Sequence, residues 1–423
     1  MKKIIKKSKN KPASNSKIEK KKILRNKRKI KSKKSKKNQN ISILEKNIEN
    51  SQEDIISIKR LIRTIFNIRE ARRQLCFLGI DLKNSSLKIN DNFFKACCNK
   101  LEEIDKVINN KDNHKVKKEK FFELTKQYYK IFPHSFPFPD YSMYLINDIN
   151  KIKREICLLE LVKSYDELGA KFQKIKKESS NKEENELNNS MNLNDSINLS
   201  INNMENASEE EQHHTIISDK FFEKAVSQFN YNITLVDKNN DDFIEIDNYL
   251  NLFSTKNGGP YPPLELIELF QLKKIGDENK TKNSFYWYGC EITHFYSILR
   301  YGFRNPIKEA PKNAFIYGKG ILLSQNAYSQ IQKCLPKNNI VYLFICTVDN
   351  LKAKTVHLHH KNYPEELKKE FNSIRIKTKI LKLSDDSSEE DSNDDKSYIN
   401  SEDYIIYNPS SIRIHFIAKI QIP

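Results

Sequence analysis

The chain has 423 residues, enough for two domains with their own cores and for tails besides. Its hydrophobic content of 38% and mean hydropathy of −0.72 are low for a chain folded throughout, so part of it is expected to be disordered. Residues 1–40 carry 19 Lys/Arg against a single acid, Glu19, and so hold +18 of the net +19; the remainder is close to neutral. No stretch approaches the ~18 apolar residues a membrane span needs, and no secretory signal is present, so no membrane partner is expected.

The basic segment reads as a disordered tail, because a lysine brush repels itself, builds no core and neutralises phosphates with little regard for sequence. Lys20-Lys21-Lys22 and Arg25-Asn26-Lys27-Arg28-Lys29 suit nuclear import and DNA contact equally well, with a merely solubilising tail as the bland alternative. After a polar join, apolar residues recur at helical spacing through Ile58, Leu61, Ile62, Ile65, Phe66 and Leu75, and Gly79 is placed to stop that helix. Further helices are predicted from Phe93 to Ile108, from Phe121 to Tyr129, and from Ile146 to Leu168; the prolines at 133, 137 and 139 separate the last two. These make an all-helical domain over residues 55–172 whose periodicity describes a core. From 173 to 215 Asn, Glu and Ser dominate, which predicts a polar linker.

The pattern then changes period. Ile233–Val236, Tyr342–Val348, Tyr404–Tyr407 and Ile412–Ile417 are β-branched and aromatic strand candidates, and Ser297–Tyr301 is a short helix ended by Gly302. A mixed, mainly antiparallel β domain is expected over 216–423, making the whole chain α+β. The acidic run at 384–397 is read as an exposed loop; pairing with the basic tail, or phosphorylation of its serines, is a lesser alternative. Seven cysteines without a C-x-x-C pair support neither a disulfide framework nor a zinc finger and point to a reducing compartment. His357-x-His359-His360 lacks a thiolate or acidic partner at ligand spacing, so no metal site is expected.

Both halves resemble the poly(ADP-ribose) polymerase family, specifically its DNA-dependent members, which place a helical regulatory domain before the transferase. The helical half carries Ile58-Lys59-Arg60-Leu61-Ile62-Arg63-Thr64-Ile65-Phe66, Ile80-Asp81-Leu82 and Tyr128-Tyr129-Lys130-Ile131-Phe132-Pro133-His134-Ser135-Phe136. The other half carries Phe229–Ile233, Glu265–Phe270, Trp287-Tyr288-Gly289-Cys290, Glu309-Ala310-Pro311, Tyr317-Gly318-Lys319-Gly320-Ile321 and Asp403-Tyr404-Ile405-Ile406-Tyr407, in the family's order. The resemblance implies an ADP-ribosyltransferase fold, NAD as substrate, and a nuclear, DNA-associated protein.

Transfer from NAD breaks the nicotinamide–ribose bond through a cation-like transition state, so the family clamps the nicotinamide, holds the ribose and supplies negative charge. Its histidine, tyrosine and glutamate for these tasks fall on Tyr288, Leu322 and Asp403. Leu322 lacks the aromatic face, a stacking contribution of roughly 0.5–1.5 kcal/mol. Asp403 keeps the charge on a shorter side chain, and a displacement of about 1 Å at a reacting centre costs on the order of 100-fold in rate. The family's carboxamide-binding serine falls on Gln330 and its second stacking tyrosine on Lys333, where a cation opposes a positively charged nicotinamide ring. Gly289, whose backbone grips the carboxamide in the family, is kept, as are Arg304 near the adenosine site and Gly320 in the turn. The resemblance therefore certifies a fold better than a reaction. Two expectations follow: a member with little or no catalysis, or a weakened mono-ADP-ribosyltransferase working through Asp403. The family's helical domain also blocks the NAD cleft, but Lys151, Lys153 and Arg154 stand where the family is acidic, which puts that contact in doubt. Protein partners stay open.

Overall fold

The computed structural model describes residues 52–81, 89–110, 114–135, 144–180, 219–276, 284–315, 317–356, 371–381 and 398–423. The basic tail 1–40, most of the polar linker, Phe136, the prolines at 137 and 139, His357-x-His359-His360 and the acidic run 384–397 lie outside the described residues. The chain divides into two units, Met1–Ile56 and Ser57–Pro423; the first helix crosses that boundary, and every later element lies in the second.

The helical domain contains α1 (Gln52–Ile65), α2 (Ile68–Phe77), α3 (Asp91–Asn109), α4 (His114–Ile131) and α5 (Ile149–Ser180). The single helix expected from Ile58 to Leu78 is two, because Asn67 stops the first and its side chain caps the second by accepting from the Glu70 amide at 2.9 Å. Gly79 ends α2 at φ 92°, in the region that favours glycine. The last helix runs to Ser180, past the point where the composition turns polar, and Ile175 on it is buried. Leu75, Leu101, Ile104, Tyr128, Phe132, Ile152, Leu159 and Val162 form one apolar core. That core also takes in Ala310 and Ala314 from the second half of the chain.

The remainder is α6 (Asp219–Val226), β1 (Tyr231–Leu235), α7 (Asp241–Leu250), β2 (Glu265–Lys274), β3 (Tyr286–Gly289), α8 (Phe295–Tyr301), β4 (Ile321–Ser324), α9 (Ala327–Ile331), β5 (Ile340–Val348), β6 (Ala353–Val356), β7 (Ser373–Leu381), β8 (Tyr398–Ile406) and β9 (Ile412–Gln421). The strands form one sheet in the order β1-β2-β9-β5-β3-β4-β8-β7-β6, antiparallel throughout except for the β6–β7 pair. The α+β architecture is therefore as expected. Phe344, Ile417 and Ala418 of the central strands are fully buried, and Trp287 on β3 is sealed under Tyr249, stacked at 5.4 Å and 10°. This arrangement puts β3, β4 and β8 side by side, and those three strands carry the candidate site.

Candidate functional site

Tyr288 on β3, Leu322 on β4 and Asp403 on β8 are held on neighbouring strands. Asp403 faces Ser324 across the β4–β8 ladder, and Ser324 faces Trp287 across β3–β4. Asp403 is not on a sheet edge, because β8 lies between β4 and β7. Burial raises its pKa, against the Ser324 hydroxyl and the Lys333 charge, which both favour the carboxylate. Ser324 has the geometry for this: its oxygen accepts from the Asn326 amide at 2.9 Å and the Ser329 hydroxyl at 3.1 Å, leaving its own proton for Asp403.

Leu322 packs with Val356, Ile374, Ile376 and Ile405 in a small apolar cluster joined by Tyr317 and Tyr407. Tyr288 meets Phe303 edge-on at 4.8 Å and Phe344 at 6.5 Å. Burial pushes its phenol well above the ordinary value, with Cys290, Glu160, Cys346 and Cys157 adding to the effect. Glu160 and Cys157 belong to α5, so the helical domain reaches the neighbourhood of Tyr288.

The backbone around Gly289 is tight. A Cβ on Gly289 would lie 2.1 Å from the Gln330 carbonyl oxygen, and one on Gly320 would lie 2.6 Å from the Ile405 Cγ2, so neither position admits a side chain. The close approach of α9 to β3 brings the Gln330 side chain onto Gly289. Its Oε1 accepts the Gly289 N–H at 3.2 Å and the Lys333 ammonium at 2.8 Å. Gln330 is 1% exposed. Lys333 is an exposed residue whose ammonium donates to that buried amide; desolvation there pulls its pKa down to about 8, and Asp403 opposes the shift.

Arg304 is occupied from the other side. Its guanidinium donates to both Glu167 carboxylate oxygens, at 3.0 and 2.7 Å, and to the Ser297 hydroxyl, while it lies over the Tyr301 ring at 4.8 Å. Burial would raise the Glu167 pKa, but the hydrogen bonds and charge of Arg304 outweigh it and hold the group below the usual range. Glu167 is on α5, as are Ser164, whose hydroxyl lies 2.7 Å from His294 Nδ1, and Glu160, which accepts the Ile307 N–H at 3.1 Å. These contacts lie further along α5 than Lys151, Lys153 and Arg154. The helix docks through residues further along, at spacings of four and three that place them on one face; Lys151 instead caps its own approach, donating to the Leu145 carbonyl and Asn147.

Gly289, Gln330 and Lys333 are thus joined through Ser329 to Ser324 and Asp403 in one polar chain, with Tyr288, Leu322 and Arg304 outside it. Sequence reading missed Ser324, Glu160, Ser164 and Glu167. The three α5 residues were legible only as polar positions among the many charged residues of that helix. Among the described residues no group of three or more His, Cys, Asp or Glu side chains could hold a metal ion, and no helix is long and apolar enough to cross a membrane.

The class is set by this architecture: an all-helical domain whose last helix is docked beside a nine-stranded, mainly antiparallel sheet, with polar groups gathered on neighbouring strands of that sheet. The signature of the poly(ADP-ribose) polymerase catalytic domain matches residues 240–422, and that of the poly(ADP-ribose) polymerase regulatory domain matches residues 56–191. The chain belongs to the poly(ADP-ribose) polymerase family. It is similar to the Poly [ADP-ribose] polymerase of Sarcophaga peregrina, at 20% identity over 287 residues, 66% of this chain and 24% of that protein. Poly [ADP-ribose] polymerase 2-B of Oryza sativa subsp. japonica is 22% identical over 268 residues, 62% of this chain and 37% of the relative. Poly [ADP-ribose] polymerase 2 of Homo sapiens is 24% identical over 207 residues, 44% of this chain and 35% of the relative. The chain spans well under half the length of each of these relatives.

NAD is the substrate of the family's catalytic domain. In this structure the Gly289 amide donates to Gln330 and the Arg304 guanidinium to Glu167.

Proposed function

We propose that this chain is a nuclear, DNA-associated member of the poly(ADP-ribose) polymerase family that binds or scaffolds with little or no ADP-ribosyl transfer. The observation that carries this reading is the set of side chains on β3, β4 and β8. Where the family places histidine, tyrosine and glutamate, these strands hold Tyr288, Leu322 and Asp403. A phenol, an aliphatic group and a shortened carboxylate supply neither ring stacking nor a carboxylate at full reach, so the transition-state charge is poorly met. Tyr288, Gly289, Arg304, Gly320, Gln330 and Lys333 are the positions proposed for the former NAD cleft, and the helical (55–172) and transferase-like (216–423) parts are the proposed functional domains. The Lys-rich segment 1–40 supports nuclear import and salt-sensitive contact with DNA in the setting of DNA repair.

Purified full-length chain incubated with labelled NAD and nicked DNA tests the reading. No label on protein is the expected result, and label on protein overturns it. Deleting residues 1–40 is expected to abolish salt-sensitive DNA binding; unchanged binding defeats the tail assignment. One observation favours a second reading, an active mono-ADP-ribosyltransferase: Asp403 keeps a carboxylate within the sheet, held by Ser324.

A further inference from the structure

The Gly289 N–H and the Lys333 ammonium converge on a single oxygen, Gln330 Oε1, at 3.2 and 2.8 Å. We infer that Gln330 is an internal ligand closing the carboxamide end of the cleft, and that the two donors beneath it form a site for a small aromatic carboxylate in preference to a carboxamide. The inference rests on the reading of this cleft as a former NAD site.

The preference follows from the inventory of donors and acceptors. Both convergent groups are donors and one carries a charge; the Gln330 amide satisfies them with its oxygen and turns its own Nε2 toward the Ser329 hydroxyl, 3.4 Å away. A carboxamide from solution offers the same oxygen and still has two N–H groups to place. A carboxylate is acceptor-only, and its hydrogen bonds to the backbone amide and the ammonium are charge-assisted. Leu322, two positions before Ser324 on β4, supplies apolar surface for a ring without an aromatic face.

Three features make Gln330 a resident of the site. It is 1% exposed, so its amide has few alternative partners in water. Its backbone is pressed against Gly289, with 2.1 Å to the place a Cβ would take, so α9 cannot withdraw without separating from β3. The side chain is also tethered to the site, which gives it an effective concentration that a free amide in solution must outcompete. Asp403 acts against an incoming anion, because its negative charge already favours the charged Lys333 ammonium and repels a second carboxylate. Removing that charge strengthens the site.

The test uses the full chain and two probes, nicotinate and nicotinamide, followed by saturation-transfer NMR and calorimetry. Wild type is expected to bind neither saturably. Gln330→Ala is expected to bind nicotinate at least about tenfold more tightly than nicotinamide, the scale of one charge-assisted hydrogen bond over a neutral one. Adding Lys333→Met is expected to erase the preference, and adding Asp403→Asn to enlarge it. Gln330→Ser carries the same expectation should the alanine variant fail to fold. The inference is overturned when a cooperatively melting Gln330 variant binds neither probe, when it favours nicotinamide, or when wild type binds nicotinate as tightly as the variant. Label transfer from NAD by wild type is a separate readout: it defeats the non-catalytic reading and the plug together, whereas a silent Gln330 variant defeats the plug alone.

Discussion

Replacing Glu160 by glutamine should stabilise the protein, and increasingly so as pH rises. Glu160 lies on α5 at the junction with the sheet, where its Oε1 accepts the Ile307 N–H at 3.1 Å. Burial raises its pKa from 4.5 to about 7, against the opposing Ile307 hydrogen bond and the charges of Lys163 and Lys319. An acid with a raised folded-state pKa holds its proton in the native state while the unfolded chain has lost it. Its contribution is therefore fully present below about 4.5 and is lost as pH rises through about 7. Integrated over that window, the native carboxylate costs under about 1 kcal/mol at pH 5 and on the order of 3 kcal/mol at pH 8. Glutamine keeps the accepting oxygen and removes the charge. Urea unfolding of wild type and Glu160→Gln at pH 5 and pH 8 measures the difference directly. The expected result is near coincidence at pH 5 and a higher midpoint for the variant at pH 8. A variant less stable at pH 8, or a difference equal at both pH values, refutes the burial argument.

Gly289→Ala should destabilise by about 1–3 kcal/mol or more, because its Cβ would meet the Gln330 carbonyl oxygen at 2.1 Å and that atom is backbone; a thermal midpoint within a degree of wild type would contradict the tight docking of α9 on β3. Tyr128→Phe removes a buried hydroxyl that donates to Glu155 at 3.2 Å and should cost about 1–3 kcal/mol in urea unfolding, by leaving that acceptor short of a partner; no loss would mean the pair is idle. Glu167→Ala should cost only about 1 kcal/mol of global stability, since Arg304 is 42% exposed. The same change should speed amide exchange in the second half of α5, and equal exchange in both proteins would show that the clamp does not fasten the helix.

The helical faces and the longer strands were legible because burial imposes its period on the sequence: Leu61, Ile62 and Ile65 on α1, or Phe344 and Ile345 on β5, are interior residues by pattern and by structure. Boundaries were less so. The break at Asn67 depends on one side chain choosing a backbone amide over solvent, and α5 outruns its polar composition because Ile175 still finds a buried place. Strands β3 and β4 are four residues each, too short for an alternation to declare itself. At the site, residue types were legible through the resemblance, while partnerships were not. Gly289 and Gln330 are 41 positions apart, and Glu167 and Arg304 are 137 apart. Nothing local in either segment encodes the other; the pairings exist only once β3, α9 and α5 are docked.

Those two partnerships differ in what can release them, and this separates two ways of opening the cleft. Glu167 rides on α5, so any motion of the helical domain away from the sheet frees Arg304. Gln330 rides on α9, which belongs to the sheet and is pressed onto Gly289, so the same motion leaves it in place. A helical domain that swings away therefore exposes a cation but not the amide donor. Glu167→Ala should accordingly leave nicotinate binding absent, Gln330→Ala should create it, and the double variant should bind no more than a few-fold more tightly than Gln330→Ala alone, as expected for sites without shared partners. Calorimetry on the three variants decides the matter. Appearance of nicotinate binding in Glu167→Ala with Gln330 intact would mean that the helical domain, rather than Gln330, closes the Gly289 amide.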